Sequence, residues 1–361
     1  MHITKRIRFT MYLSIPLLIT FAVLRKKSTL DKSILQLHQK EMDSLRWKQT
    51  TINGIVKQHS SSVIIQQKLR KRTTFTYSKS SKIVCVDFRG RLGNLMLEYA
   101  FLYAIAKNKG LYPIIPEKSQ LLTVFNIQET TLSRIGKRPN ACSELPILSE
   151  RWALSFDERL VEVPRNNSVM FYGYFQSWKY WIERKEEIRD IFRFKKSIRQ
   201  KVDLQFKEIL QKMNFTLDID SVVVSVHIRR EDYISKRVVA FGKITPKASY
   251  FLNAMSFFKK RFKRVLFIVG STDLEWSRDA LHTEPNVYFS EGNSAGEDLA
   301  LLSKANHTIM SVGTYGWWIG WLAGGITIYY PHIFVPGSPF SNDFRNGSIE
   351  DFIYPGWIEM E

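Results

Sequence analysis

At 361 residues the chain is long enough for one large or two ordinary domains. Hydrophobic content of 44% and aromatic content of 13% mark a globular rather than a disordered polypeptide. The formal net charge of +19 invites a nucleic-acid reading, but residues 1–82 hold 17 Lys/Arg against 3 Asp/Glu, which is +14, and leave +5 for the rest; with no zinc-finger spacing and no aromatic RNA-binding signature, nucleic acid is set aside as a partner.

Taken in order, the chain opens with a basic tail, residues 1–8, ahead of the apolar run Phe9–Leu24, which Arg25, Lys26 and Lys27 close. A membrane-crossing helix usually needs about 20 residues, so this run suits a short signal anchor in a thin membrane. A cleaved signal peptide fits less well, because no small-x-small site precedes the basic triplet. Basic residues flank the run on both sides; the short tail before it and the long chain after it place the bulk across the membrane from the tail. Residues 25–81 read as a polar, basic stem, with Leu30, Ile34, Leu37 and Leu45 at a loose helical spacing that leaves a dimerising helix open.

The first lobe, residues 82–205, begins with a strand at Ile83–Phe88. Gly90-Arg91-Leu92-Gly93-Asn94 then makes a tight turn, with Asn94 as N-cap of an apolar helix Leu95–Lys107 that Gly110 ends. Tyr112–Ile115 is the next strand. A glycine loop feeding a helix N-terminus turns backbone N–H groups toward anions. Cys85 sits in the strand pattern, so a buried thiol is the expectation rather than a Cys85–Cys142 bridge. Residues 117–165 carry no assigned chemistry. In Phe171–Trp181 the aromatic side chains alternate with Gln176, Ser177 and Lys179, which suits either a sugar or a core corner. Residues 183–199 read as one amphipathic helix.

The second lobe, residues 220–332, alternates strand and helix, which means a parallel sheet. Its strands are Ser221–His227, Val265–Val269, Val287–Phe289, Thr308–Val312 and Ile326–Tyr330; its helices are Pro246–Lys260, Leu274–Leu281, Glu297–Lys304 and one led by the Gly313–Gly316 loop. The β-branched run Val222–Val226 is the strongest strand signal, buried on both faces. It ends in His227-Ile228-Arg229-Arg230-Glu231-Asp232, and ligands of open α/β sheets bind at the carboxyl ends of strands. Paired guanidiniums there suit a diphosphate. Trp317, Trp318 and Trp321 form a helical stripe that reads as core. Residues 333–361 are a loop-rich tail in which Phe352–Trp357 packs back on a lobe.

Four stretches together resemble the galactoside α-1,2-fucosyltransferases, glycosyltransferase family 11. They are GRLGN at 90–94 with the LMLEYAFLYAIA that follows, GYFQSWKYW at 173–181, HIRREDY at 227–233, and the run from Glu297 to Gly325. Their order and spacing are the family's over roughly residues 82–335; Leu95 and Leu97 stand where the family commonly has Gln and Phe. The resemblance implies two Rossmann-like lobes of the GT-B type behind a transmembrane anchor and stem, with the first lobe on the acceptor side and the second binding the donor. It implies GDP-fucose as donor, a β-galactoside-terminated glycan as acceptor, inversion at the sugar, and a single-pass type II Golgi membrane protein with its catalytic part lumenal.

In that chemistry the diphosphate leaves with growing negative charge, which a metal or cations must stabilise. Asp218 and Asp220 precede their strand, on the wrong side of the sheet for a metal site. Arg229 and Arg230 are then the leaving-group clamp, and metal-independent transfer is expected. Asp232, Glu231, His227 and Glu98 are candidates for the base, with Asp232 favoured as base or sugar-hydroxyl acceptor and His227 read more readily as a core histidine. Gly93, Asn94, Ser311, Gly313 and Thr314 would line the phosphates, Asp273 would meet a ribose or guanine edge, and Gln176 and Trp178 the acceptor. Sequons at Asn166, Asn214 and Asn346 are glycosylation candidates; Asn306 opens a buried strand and is a poor one. The rivals are another lumenal transferase, such as a sulfotransferase, whose phosphosulfate loop GRLGN does not supply, and a non-catalytic protein that binds anionic glycans or membranes.

Overall fold

The computed structural model describes residues 80–127, 141–165 and 167–361, together with Phe75 and Ser78. The expected tail, the anchor, most of the stem and Asn166 lie outside the described residues. Among the described residues no helix is long and apolar enough to cross a membrane.

The first apolar segments form a βαβ unit: β1 (Ile83–Val86), α1 (Leu92–Lys109) and β2 (Tyr112–Ile114). Helix α1 begins three residues before the expected Leu95, with Arg91 as its N-cap, so Asn94 lies inside the first turn and its side chain is free to reach elsewhere. Gly110 ends the helix in the left-handed region, as its lack of a Cβ allows. After α2 (Gln120–Val124) come β3 (Ile147–Ser149) and β4 (Val169–Tyr172), and the four strands make a parallel sheet in the order β2-β1-β4-β3. Cys85 is bridged to Cys142, against the expectation of a free thiol. The residues after Cys142 lie over the face of β1 turned away from α1, where Tyr112, Ile114 and Met170 also pack, and this brings two cysteines 57 positions apart within bonding reach.

The stretch expected as one helix over 183–199 is broken. Phe192 and Phe194 turn inward onto Phe125, ring to ring at 5.0 and 5.3 Å, and Phe194 makes an antiparallel bridge with Phe125. The helical pattern therefore splits into α3 (Lys185–Ile191) and α4 (Lys196–Lys212). Helix α4 runs past residue 205, the expected end of the first lobe, and buries Val202, Phe206 and Ile209 at helical spacing.

The second sheet follows the predicted alternation. Strand β5 (Ser221–Ile228) is buried throughout, and α5 (Lys236–Ala240), α6 (Ala248–Arg261), β6 (Arg264–Ser271), α7 (Leu274–Ala280), β7 (Val287–Phe289), α8 (Ala295–Leu302), β8 (His307–Met310), α9 (Thr314–Ala323) and β9 (Thr327–Tyr329) succeed it. The sequence reading lacks β10 (Ile358–Glu359), a two-residue strand in the tail. The order is β10-β9-β8-β5-β6-β7 with every pairing parallel. The chain winds outward in one direction from β5 through β6 to β7, then in the other from β8 to β10. This is the doubly wound order, and its switch point lies between β5 and β8.

One apolar core runs from α1 to α9. Trp317, Trp318 and Trp321 are all buried in it, as expected, with Trp181 stacked on Trp318 at 5.6 Å. The tail packs back where expected: Phe352 is buried and its carbonyl accepts the Trp317 indole N–H at 2.7 Å.

Candidate active site

The carboxyl end of β5 is tied sideways to both neighbours. The Arg229 N–H donates to the Ser311 hydroxyl just beyond β8 at 2.9 Å, and the Arg230 N–H donates to Thr272 beyond β6 at 3.1 Å. The Thr245 hydroxyl donates to the Arg229 carbonyl at 2.9 Å. These bonds fix where the strand hands over its charged residues.

The two arginines part there. Arg229 lies over the Tyr233 ring at 4.8 Å and grips Asp232 with two donors, Nε at 3.1 Å and Nη2 at 2.6 Å. Its Nη1 faces Gly313, where a Cβ would come within 2.6 Å, and Gly313 holds a positive φ of 86°. Any larger residue would both strain that turn and push the guanidinium aside. Arg230 points toward α7, 4.5 Å over the Trp276 ring and 3.4 Å from Asp273, whose carboxylate also caps α7 through the Trp276 N–H. Arg230 Nε is buried with no hydrogen-bond partner.

Between the two sheets lies a cavity of about 550 Å³. Gly93, Asn94, His227, Arg229, Asp232 and Thr314 line it; Arg230, Asp273, Ser311, Gly313, Gln176 and Trp178 do not. Ser311 and Gly313 act from behind, on the backbone and side chain of Arg229. Gln176 Nε2 donates to Asn94 Oδ1 at 3.2 Å. Trp178 donates to the Glu350 carbonyl at 3.2 Å and packs against Tyr354, so it holds the tail.

Two helices begin at this cavity, α1 after Arg91 and α9 after Gly313, and neither has a side chain capping its N-terminus. Their first N–H groups and dipoles therefore favour an anion. Arg91 is a further cation on the wall. It forms no ion pair among the described residues and helps to hold Asp232 ionised. In the sequence Arg91 stands inside a turn motif with no assigned role; its position one residue before a helix rich in apolar side chains is the available signal. Thr272, Tyr315 and Asp298 also line the cavity without having been singled out.

Protonation separates the proposed bases. Burial pushes the Asp232 carboxyl up, but the Arg229 hydrogen bonds outweigh it and the net shift is down. With both oxygens held by Arg229, Asp232 is a weak proton acceptor and a good orienting anion. Burial, with Arg229 adding to it, drives His227 down to about 3, so the ring is neutral; its Nδ1 lies 3.3 Å from the Ser311 hydroxyl. Glu98 is buried away from the cavity wall, accepts the Arg89 N–H at 3.1 Å, and is pushed up to about 9 by burial. Glu231 is exposed and does not line the cavity. Asp218 and Asp220 stand at the opposite end of β5, paired with Arg264 and Lys263. Asn214, Asn306 and Asn346 are all exposed, and the Asn306 side chain is in addition tied down, accepting the Val223 N–H at 2.9 Å.

Anion capture beside a switch point is the habit of doubly wound proteins that handle phosphorylated nucleotides, and fold and site together put this chain in that class. Residues 51–361 match Glycosyl transferase family 11, and the chain belongs to that family. It is 31% identical over 278 residues to galactoside alpha-(1,2)-fucosyltransferase 2 of Sus scrofa, covering 75% of this chain and 78% of the relative. The same enzyme of Mus musculus is 30% identical over 287 residues, covering 78% and 79%. Among solved structures, POFUT1 in complex with GDP-fucose aligns with a TM-score of 0.45 at 12% identity, over 69% of this chain and 96% of that one.

Proposed function

We propose that the protein is a galactoside α-1,2-fucosyltransferase that moves L-fucose from GDP-β-L-fucose to the 2-hydroxyl of a terminal β-galactoside with inversion. The observation that carries this reading is the meeting of Arg229, Arg91 and two uncapped helix N-termini on one cavity in a family 11 chain. In the reaction the galactoside oxygen bonds to the anomeric carbon as the bond from that carbon to the diphosphate breaks. The electron pair leaves on the phosphate oxygen, and the hydroxyl proton passes to solvent water. Arg229 and Arg91, with the N–H groups of α1 and α9, stabilise the departing charge, so the reading requires no metal. Asp232 orients Arg229 rather than taking the proton. Arg230, anchored by Trp276 and Asp273, shapes the loop beside it.

The Golgi lumen is the proposed location, with residues 9–24 as a type II anchor. The Cys85–Cys142 disulfide supports it, since such bonds persist in oxidising compartments. The exposed sequons Asn214 and Asn346 are the proposed glycan carriers.

The test is transfer by the full chain in detergent, with GDP-fucose and a panel of β-galactosides in EDTA, the product linkage read by NMR. An α-1,2-linked product in EDTA, lost in Arg229→Ala, supports the reading. Loss of transfer in EDTA sinks its metal-free part, and transfer to a hydroxyl other than the 2-position sinks the linkage.

A further inference from the structure

The carboxyl end of the first sheet holds a group of side chains that the donor cavity does not use. Along β4, Val169 and Phe171 face the core, where Phe171 meets Phe101 at 5.0 Å. Strand alternation sends Tyr172 to the other face, where it is 47% exposed. The Arg89 guanidinium lies 3.8 Å over that ring and 5.5 Å from the Tyr174 ring. Arg89 also pairs with Asp87, whose side chain is 41% exposed. Arg89 Nε is buried without a hydrogen-bond partner, and its backbone N–H is pinned to buried Glu98. The next two residues, Gly90 and Arg91, line the donor cavity, so this group begins where the cavity wall ends.

An aromatic ring held rigid by a guanidinium, beside a half-exposed carboxylate, is a surface made for a neutral sugar. The ring takes a sugar's C–H face, and the carboxylate and guanidinium take its hydroxyls. The donor cations stand on the second sheet and the α1 turn, so an acceptor enters the cleft past the first sheet's strand ends. We propose that Tyr172, Arg89 and Asp87 form an acceptor subsite for the second sugar of a β-galactoside, the residue to which the galactose is joined. This rests on the transferase reading above and adds to it the residues that read the second sugar of the acceptor. It also moves acceptor recognition away from Trp178, which the tail occupies.

The experiment uses the full chain in detergent with saturating GDP-fucose, and compares methyl β-galactoside with a β-galactosyl disaccharide. The wild type is expected to prefer the disaccharide in kcat/KM. Tyr172→Ala lowers that preference by about tenfold, through KM for the disaccharide. Tyr172→Phe, which keeps the ring, retains it. No preference in the wild type, or an equal loss for both acceptors in Tyr172→Ala, overturns the subsite. Saturation-transfer NMR on the wild type stands independently of any variant's folding: signal on the ring protons of the second sugar supports the subsite, and signal on the galactose alone overturns it. Failure of the wild type to fucosylate either acceptor would count against the donor and linkage reading, while the NMR result still decides the subsite.

Discussion

The Thr314 hydroxyl donates to Asn94 Oδ1 across 2.7 Å, joining the first turn of α9 to the first turn of α1 at the mouth of the cavity. The Gln176 amide shares the same oxygen. Three stretches distant in sequence thus meet on one atom. Asn94→Ala and Thr314→Val should each destabilise by about 1 kcal/mol. Because they remove the same bond, the double variant should cost less than the sum. Denaturant unfolding of the four proteins checks this, and strict additivity would show that the bond carries no energy.

Gly93 closes the same junction from the other side. A Cβ there would sit 2.7 Å from the Tyr315 nitrogen and 2.8 Å from the Thr314 carbonyl carbon. Those atoms are backbone, so the helices themselves must separate. Gly93→Ala should cost about 1–3 kcal/mol and weaken GDP binding, because the separated N-termini no longer converge on one anion. Calorimetry of unfolding and of GDP binding reads both; unchanged binding in the variant would show that the spacing is not critical.

How much of this was legible beforehand depends on the range of the interaction. The doubly wound order was foreshadowed by local signals: β-branched runs such as Val222–Val226 and polar loops after them. The position of Asn94 was missed because an Asn after a glycine turn looks like an N-cap, whereas its real partner is 220 positions away. The break at Phe192–Lys195 was hidden for the same reason: helical periodicity runs through it, and only Phe125, remote in sequence, draws the phenylalanines inward. The HIRRED motif located the site but not the division of labour, because which arginine meets Asp232 and which meets Trp276 is decided by rotamers and neighbours.

That division predicts unequal effects. Arg229→Ala should lower kcat/KM by about 10²–10³, chiefly through the leaving diphosphate. Asp232→Asn should weaken GDP-fucose binding and keep the shape of the pH–rate profile, because the carboxylate orients Arg229 and takes no proton. Loss of the acidic limb of the profile in Asp232→Asn would instead identify it as the base. The pair also has a sign in stability. The folded value of Asp232 lies below its ordinary one, so its contribution is complete above the ordinary carboxylate range and is lost as pH falls through the depressed folded value.

The Cys85–Cys142 bridge ties β1, whose end becomes the α1 turn, to a segment 57 positions on. Removing it with Cys85→Ser and Cys142→Ser together should cost about 2–4 kcal/mol. Reductant should lower Tm of the wild type toward that of the double variant and leave the variant's own Tm unchanged. Equal sensitivity of both proteins would place the effect elsewhere.

Glu98 should make the protein less stable as pH rises. Burial holds its folded value at about 9, against the opposing pull of the Arg89 backbone and charge, and Asp87 and Glu150 add to the rise. In the unfolded chain it titrates near its ordinary value, about 4.3. Between those two values the unfolded form has released a proton that the folded form keeps, so stability falls as pH climbs through the window and levels off above the folded value. Glu98→Gln keeps a side-chain oxygen for the Arg89 N–H and removes the titration. Its stability relative to the wild type should therefore grow from pH 5 to pH 9, as measured by denaturant unfolding at several pH values. Some slope should survive in the variant, because burial also raises Glu150, to about 8, where it accepts the Tyr174 and Phe175 N–H groups. Parallel curves for wild type and Glu98→Gln would mean that Glu98 is ionised in the folded protein, with Arg89 and not burial setting its charge.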